Sequence, residues 1–237
     1  MRGIILNLLN NGDILKNKVI TYMDTYSHKD NKNTSLDLKL DKIFNNKTEG
    51  VYIELGANDG LFQSNTAFFE KHRGWRGILI EPCYDAYLQC KLNRPKSACF
   101  NYACVSKDYK KDYIEGDFLD GHPMASIDGK RRNYNNLTRV RALPLEKILD
   151  KVVINREIDF LSLDAEGYEL NILKELNLKK YRPTYMLVEI YNYDYTNIVN
   201  YLKDFNYTLH SNFTNYNLKD NPQWDGSHQD YLFYIEH

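Results

Sequence analysis

The segment Val51-Tyr-Ile-Glu-Leu-Gly-Ala-Asn-Asp-Gly60 constrains this chain more than any other. Five residues of largely apolar character end in Gly56, and a second glycine follows four positions later. A helix-like run begins soon after, at Asn65. The pattern reads as a buried strand, a tight turn and a helix N-terminus, the place where open α/β sheets hold nucleotide-like ligands. Glycine lets the backbone turn sharply and approach a ligand with no Cβ in the way.

The loop is not the dinucleotide pattern. G-x-G-x-x-G would need glycine at position 58, which is Asn58, and a small residue where Leu61 stands. Pyrophosphate prefers bare amides with no carboxylate nearby. A ligand carrying an amino group and a positive sulfur prefers the reverse, so Glu54 and Asp59 fit S-adenosylmethionine better than NAD. The plainer alternative is a pair of loop glycines beside solvated acids. A second buried strand, Ile78-Leu79-Ile80, ends in Glu81-Pro82. An acid there, about 20 residues past the glycine loop, can take both ribose hydroxyls of an adenosine. The alternative is an exposed edge glutamate.

At 237 residues the chain is long enough for one full α/β domain. A net charge of -1 gives no global field that recruits nucleic acid or an anionic membrane. No targeting segment or membrane span is evident, since Asn7, Asn10 and Asn11 break the short apolar run near the start. Cys83, Cys90, Cys99 and Cys104 form no C-x-x-C pair, which fits reduced, mostly buried thiols in a cytoplasmic setting.

Residues 1–48 are polar and weakly periodic. They are expected to form a short N-terminal helical cap, packed through Leu36, Leu38, Leu40 and Ile43 against the sheet edge or the cofactor mouth. Residues 49–237 form the main domain. Its expected helices cover Asn65–Arg73, Tyr84–Leu92, Glu146–Val152, Tyr168–Leu176 and Tyr195–Phe205. Ala98–Val105 is expected as a third strand whose end, Asn101–Ala103, passes near an adenine. Tyr113-Ile114 and Arg139–Leu143 suggest short strands, and Gly116–Gly129 a long loop. Lys130-Arg131-Arg132, with Arg139 and Arg141, reads either as a solvated loop or as a wall for an anionic acceptor. Tyr207–Asn212 and Asp230–Ile235 form a closing pair with an antiparallel member, a common addition to parallel sheets.

The other informative stretch is Ile158-Asp-Phe-Leu-Ser-Leu163, running into Asp164-Ala-Glu-Gly-Tyr-Glu169. Glu166 and Glu169 could be simple helix-start acids, favoured by the helix dipole. Asp164 falls at the carboxyl end of a central strand, where such sheets place their ligands. A further strand, Thr184–Glu189, is also tipped by an acid. Several acid-tipped neighbouring strands make a site.

Taken together, Leu36-Asp37-Leu38, Glu54–Gly60, Ser64-Asn65-Thr66, Gly74–Gly77, Ile80-Glu81-Pro82, Ile158–Glu169, Ile172-Leu173 and Asp230–Phe233 resemble the FkbM-type methyltransferases. The resemblance runs in order over roughly residues 35–235. It implies a class I S-adenosylmethionine-dependent methyltransferase: a Rossmann-like, seven-stranded, mostly parallel α/β sheet with an antiparallel last strand and helices on both faces. It implies cofactor contacts at Glu54, Gly56, Ala57, Asn58, Asp59, Gly60, Ser64, Asn65, Thr66, Glu81, Pro82, Ala103 and Asp164. Many members methylate hydroxyls, often of sugars or polyketide-type products. Where related chains often carry His-Asn after the strand acid, this one has Ile190-Tyr191-Asn192.

The expected activity is O-methylation of a hydroxyl, with a sugar or glycan as acceptor. An RNA methyltransferase is the alternative enzyme, disfavoured by the near-neutral charge and the lack of an aromatic-basic motif. A cofactor-binding module without catalysis is the alternative outside enzymes. Asp164, Glu166 and Glu189 are the candidate catalytic residues. Either Asp164 is a general base, or the three acids hold Mg²⁺ or Mn²⁺ as a Lewis acid. With no His or second Asp at an obvious ligand spacing, the reading favours the metal-free base.

Overall fold

The computed structural model describes residues 25–118, 137–152, 154 and 156–236. In chain order its strands are β1 (Val51–Leu55), β2 (Arg76–Ile80), β3 (Ala98–Phe100), β4 (Ala103–Cys104), β5 (Tyr113–Gly116), β6 (Thr138–Leu143), β7 (Phe160–Leu163), β8 (Tyr185–Tyr191), β9 (Thr208–Asn212) and β10 (His228–Tyr234). Its helices are α1 (Leu36–Ile43), α2 (Ala67–Arg73), α3 (Tyr84–Asn93), α4 (Leu145–Leu149), α5 (Glu169–Glu175) and α6 (Tyr195–Asp204).

Seven strands form one sheet in the order β3-β2-β1-β7-β8-β10-β9. The first five pair in parallel, and β10 runs antiparallel to both β8 and β9. This is the Rossmann-like α/β architecture expected from the sequence, closed by the antiparallel last strand. A second, three-stranded sheet has the order β4-β6-β5.

Strand alternation separates two cores. Ile53, Leu161, Val188 and Phe233 pack with Ile148, Leu173, Ile198 and Leu202 of α4, α5 and α6. On the other face Tyr52, Phe160, Leu187 and Leu232 pack with Leu36 and Leu40 of α1 and Phe68 and Phe69 of α2. The expected packing residues Leu36 and Leu40 are thus fully buried, with Leu38 and Ile43 beside them. They lie on the sheet face rather than at its edge, because Leu36, Leu40 and Phe44 join the same core as Tyr52 and Phe160.

The expected third strand, Ala98–Val105, is broken. It leaves the main sheet after Phe100 and resumes at Ala103 in the small sheet, where Ala103 pairs with Ala142. The cause is Asn101, whose amide Nδ2 donates to the carbonyls of Glu81 and Pro82 at 2.9 and 2.8 Å and pins the break. Lys130-Arg131-Arg132 lie outside the described residues. Arg139 and Arg141 are exposed on β6 and stack over the Tyr113 and Tyr102 rings, at 4.4 and 5.4 Å. Among the described residues no helix is long and apolar enough to cross a membrane.

Candidate active site

The strand registers set up the site. Leu55 lies opposite Ile80 on one side and Leu163 on the other, and Leu163 lies opposite Val188. One residue further along each parallel strand come Glu81, Gly56, Asp164 and Glu189. Asp230 of the antiparallel β10 pairs with Glu189. Neighbours in such a row share a face of the sheet, so the acids of four strands stand side by side at its carboxyl edge. The chain steps from β1 to β2 on one side while β7 fills the other, so the row straddles the topological switch point.

The loop after β1 is tied to β2. Gly56 and Ala57 donate their amides to the Ile80 carbonyl at 3.1 and 3.2 Å. Asn58 and Cys83 each donate an amide to the Glu81 carboxylate, at 2.8 and 2.7 Å. Burial pushes the Glu81 carboxyl up to about 7, while those two amides pull the other way. Asp59 is used within the loop, where Oδ1 accepts the amides of Leu61 and Phe62.

Both glycines are required by the protein's own packing, whatever binds at the loop. Gly56 has φ +75°, and a Cβ there would stand 2.5 Å from the Asp164 carbonyl oxygen. Gly60 has φ +81°, and its Cβ would meet Arg94 Cγ at 2.7 Å. The close approaches are to neighbouring protein, and they let Asp164 and Arg94 sit against the loop.

Glu54 is 3% exposed and points into the α2 side of the sheet. Its carboxylate accepts Ser64 Oγ at 2.9 Å, the Asn65 amide at 2.9 Å and Thr66 Oγ1 at 2.5 Å. The expected binding residues Glu54, Ser64, Asn65 and Thr66 are therefore brought together, chiefly with one another. Asn65 also reaches Ser162 Oγ at 3.0 Å through Nδ2, and its buried Oδ1 has no hydrogen-bond partner. These bonds explain why α2 starts at Ala67, two residues later than the apolar spacing suggests.

Beyond β7, Asp164, Glu166 and Glu189 each place a carboxylate oxygen within 4.8 Å of the others. Glu189 is 8% exposed. Burial, reinforced by the charges of Asp164, Glu166, Glu169 and Asp230, pushes its carboxyl well above the usual range. Asp164 is raised for the same reasons, burial first and then Glu166, Glu169 and Asp230. Glu166 adopts φ +51°, an unusual conformation for a residue with a Cβ, and receives the Tyr191 hydroxyl at 2.6 Å. Glu169 is the helix-start acid, its Oε1 accepting the amides of Ala165 and Gly167 at 2.8 and 3.1 Å. Where the resemblance expects a histidine just after Glu189, β8 continues with Ile190 and Tyr191. An imidazole reaches Glu189 from β10 instead, with His228 Nε2 3.3 Å from Oε1.

A cleft of about 1210 Å³ meets this row through His228, which lines it and contacts Glu189. Its walls come from residues 25–33, from Asp59–Gln63 and from the loop Tyr216–His228. Tyr26, Phe62, Tyr216 and Trp224 supply aromatic surface, and the polar lining is mostly amides and carboxylates.

The model of the methyltransferase FkbM domain matches residues 54–209, more than half of the chain. The chain belongs to the FkbM methyltransferase family. It is an S-adenosylmethionine-dependent methyltransferase, as its motifs and sheet order imply. No curated protein matches the sequence. Among solved structures it is similar to a precorrin-6y C5,15-methyltransferase from Geobacter metallireducens, with a TM-score of 0.49, 9% identity, and 91% of this chain and 97% of that one covered. It is also similar to M. capricolum TrmK in complex with S-adenosylhomocysteine, with a TM-score of 0.47, 11% identity, and 84% and 70% covered. A TehB-like S-adenosylmethionine-dependent methyltransferase from Corynebacterium glutamicum gives a TM-score of 0.43, 7% identity, and 85% and 88% covered.

For this FkbM methyltransferase the strand tips offer a buried acid, Glu81, and the acids Asp164, Glu166 and Glu189, groups of the kind that can meet ribose hydroxyls and a positive sulfur. Of the other expected contacts, the Pro82 carbonyl accepts Asn101 Nδ2 and Ala103 pairs with Ala142 in the small sheet. Arg94, His228, Asp230 and Tyr191 were not among the candidate site residues. One signal was available for two of them. An antiparallel last strand enters the sheet at the carboxyl edge of its parallel neighbours, so its first residues, His228 and Asp230, belong to the site. Arg94 gave no local signal, since its five donors find partners from three other segments.

Proposed function

We propose that this methyltransferase transfers the methyl group of S-adenosylmethionine to a hydroxyl of a sugar or glycan in the cytoplasm. The observation that carries the reading is the cleft. Aromatic faces such as Trp224 and Tyr216, set among Asn31, Gln63, Asn221 and Gln223, suit the apolar and hydroxyl-bearing faces of a sugar ring. Asp30, Asp59, Asp220 and Asp225 line it against one lysine, Lys29, so a polyanion such as RNA meets net repulsion. The four free thiols, with Cys90 and Cys99 unbridged at 3.8 Å between sulfurs, fit the reducing compartment.

In this reading the sulfur–methyl bond breaks as the acceptor oxygen–methyl bond forms, and the hydroxyl proton leaves. S-Adenosylhomocysteine and a methyl ether are the products. Alignment of the acceptor behind the methyl group supplies much of the rate, which assigns orientation to the cleft walls. Asp164, Glu166 and Glu189, next to the cleft through His228, assist loss of the proton. Glu81 takes the ribose. Its replacement by alanine should weaken S-adenosylmethionine binding by roughly 1.5–3 kcal/mol, the scale of a hydrogen bond to a charged group. Titration calorimetry checks this, and unchanged affinity would remove Glu81 from the ribose site.

The acceptor is tested by incubating the protein with methyl-labelled S-adenosylmethionine and separate panels of glycans, transfer and ribosomal RNA, and small alcohols. Label should enter the glycan panel. Label in RNA alone would replace this reading with the nucleic-acid one, and cofactor binding with no transfer to any panel would favour the non-catalytic module.

A further inference from the structure

Three carboxylates, Asp164, Glu166 and Glu189, meet at the carboxyl edge of the sheet, and one of them is left incomplete. Glu189 is more than nine-tenths buried, and its Oε2 is sealed from solvent with no hydrogen-bond donor. Its other oxygen faces His228 Nε2 at 3.3 Å, and Glu166 Oε2 is held by the Tyr191 hydroxyl. A buried carboxylate oxygen with no donor costs free energy unless something positive approaches it. The neighbours on the sheet row are acids, Asp164 on one side and Asp230 on the other, so the protein itself makes the deficit worse.

We propose that Asp164, Glu166 and Glu189 form a divalent-cation site for Mg²⁺ or Mn²⁺, completed by the acceptor hydroxyl; the last clause rests on the sugar-hydroxyl reading above. Oxygen ligands on one such ion at about 2.1 Å stand roughly 3.0 Å apart when adjacent and roughly 4.2 Å when opposite. The three oxygens already lie within 4.8 Å of one another, near enough for modest side-chain movement to bring them onto one ion. The ligands are hard oxygens, which select Mg²⁺ or Mn²⁺ over softer metals. Tyr191 donates to Glu166 and His228 lies against Glu189, contacts of the kind that orient metal-binding carboxylates. His228 also removes the reason for preferring a metal-free base, because it reaches the cluster from a strand 39 positions beyond Glu189 in the sequence, where no ligand spacing could reveal it. The cation draws electron density from the acceptor oxygen while its proton departs to Asp164 or solvent, with no change of oxidation state.

The test uses the full chain, stripped with EDTA and dialysed, with MnCl₂ added in the presence of S-adenosylhomocysteine. Loss of the free Mn²⁺ signal in electron paramagnetic resonance and titration calorimetry should both report one ion per chain. Glu189→Gln should weaken that binding at least tenfold. Glu166→Gln, at a half-buried position, should weaken binding similarly and decides the matter if Glu189→Gln misfolds. Absence of saturable Mn²⁺ or Mg²⁺ binding, or binding unchanged in both variants, overturns the site. The readout needs no acceptor: metal binding without methylation of any glycan sinks the acceptor reading alone, and EDTA-resistant glycan methylation sinks the metal site alone.

Discussion

Asp164→Asn is expected to leave S-adenosylmethionine binding nearly intact and to lower turnover by about 10² to 10⁴, the usual worth of a positioned proton acceptor. The substitution is nearly isosteric, so the Asp164 carbonyl keeps its packing against Gly56 and the cofactor loop keeps its shape. What is lost is one carboxyl group in a row that also holds Glu81, Glu189 and Asp230. A neutral amide cannot take the proton of the acceptor hydroxyl, and it is a weaker ligand for a cation. Both proposed roles of Asp164 therefore fail together, and the size of the loss does not depend on which one operates. Calorimetry with the cofactor and methyl-transfer rates with the acceptor found by the labelling screen measure the two halves. Turnover within tenfold of the natural protein would exclude Asp164 from the chemistry altogether.

The main sheet was legible because its strands are short apolar runs with abrupt ends. Ile78-Leu79-Ile80, Phe160–Leu163 and Met186–Val188 are buried on both faces, so apolar runs with turn signals reveal them. Their terminal acids were legible too, since an ionisable residue directly after such a run has few other reasons to be there. Local reading failed where a residue's role is set by distant partners. Asn101 ends β3 by bonding to carbonyls some 20 residues earlier, and nothing in Ala98–Val105 marks the break. Glu54 stands where a ligand-binding acid is expected, yet its carboxylate is occupied by Ser64, Asn65 and Thr66. The sequence marks Glu54 as important without saying whether it serves the ligand or the loop that receives it.

Arg94→Met should destabilise the protein by about 3–5 kcal/mol, the cost of removing one partner from a buried ionic cluster. Arg94 is fully buried, and all five of its N–H groups are used. Nε donates to Glu70 Oε2 at 3.1 Å; Nη1 donates to the Gly60 carbonyl and Ser64 Oγ at 2.9 and 3.1 Å; Nη2 donates to Tyr52 Oη and Thr66 Oγ1 at 2.6 and 2.8 Å. Glu54 Oε2 lies 3.6 Å from Nη1. Methionine fills much of the volume but leaves Glu54 and Glu70 buried without a countercharge. Lysine offers three donors from one point and cannot span these five acceptors, so Arg94→Lys should recover only part of the loss. The pH dependence gives a second check. Burial alone would raise the Glu70 carboxyl, but Arg94, Ser97 and Tyr52 together hold it below its ordinary value of 4.5. A lowered folded-state value contributes stability above about pH 4.5 that is lost as pH falls through it. The gap between natural protein and variant in chemical denaturation should thus be widest near neutrality and narrow below about pH 4.5. Because the same guanidinium holds Gly60, Ser64 and Thr66, cofactor affinity should fall along with stability. A loss under about 1 kcal/mol, with affinity unchanged, would mean that packing rather than charge holds the cofactor loop.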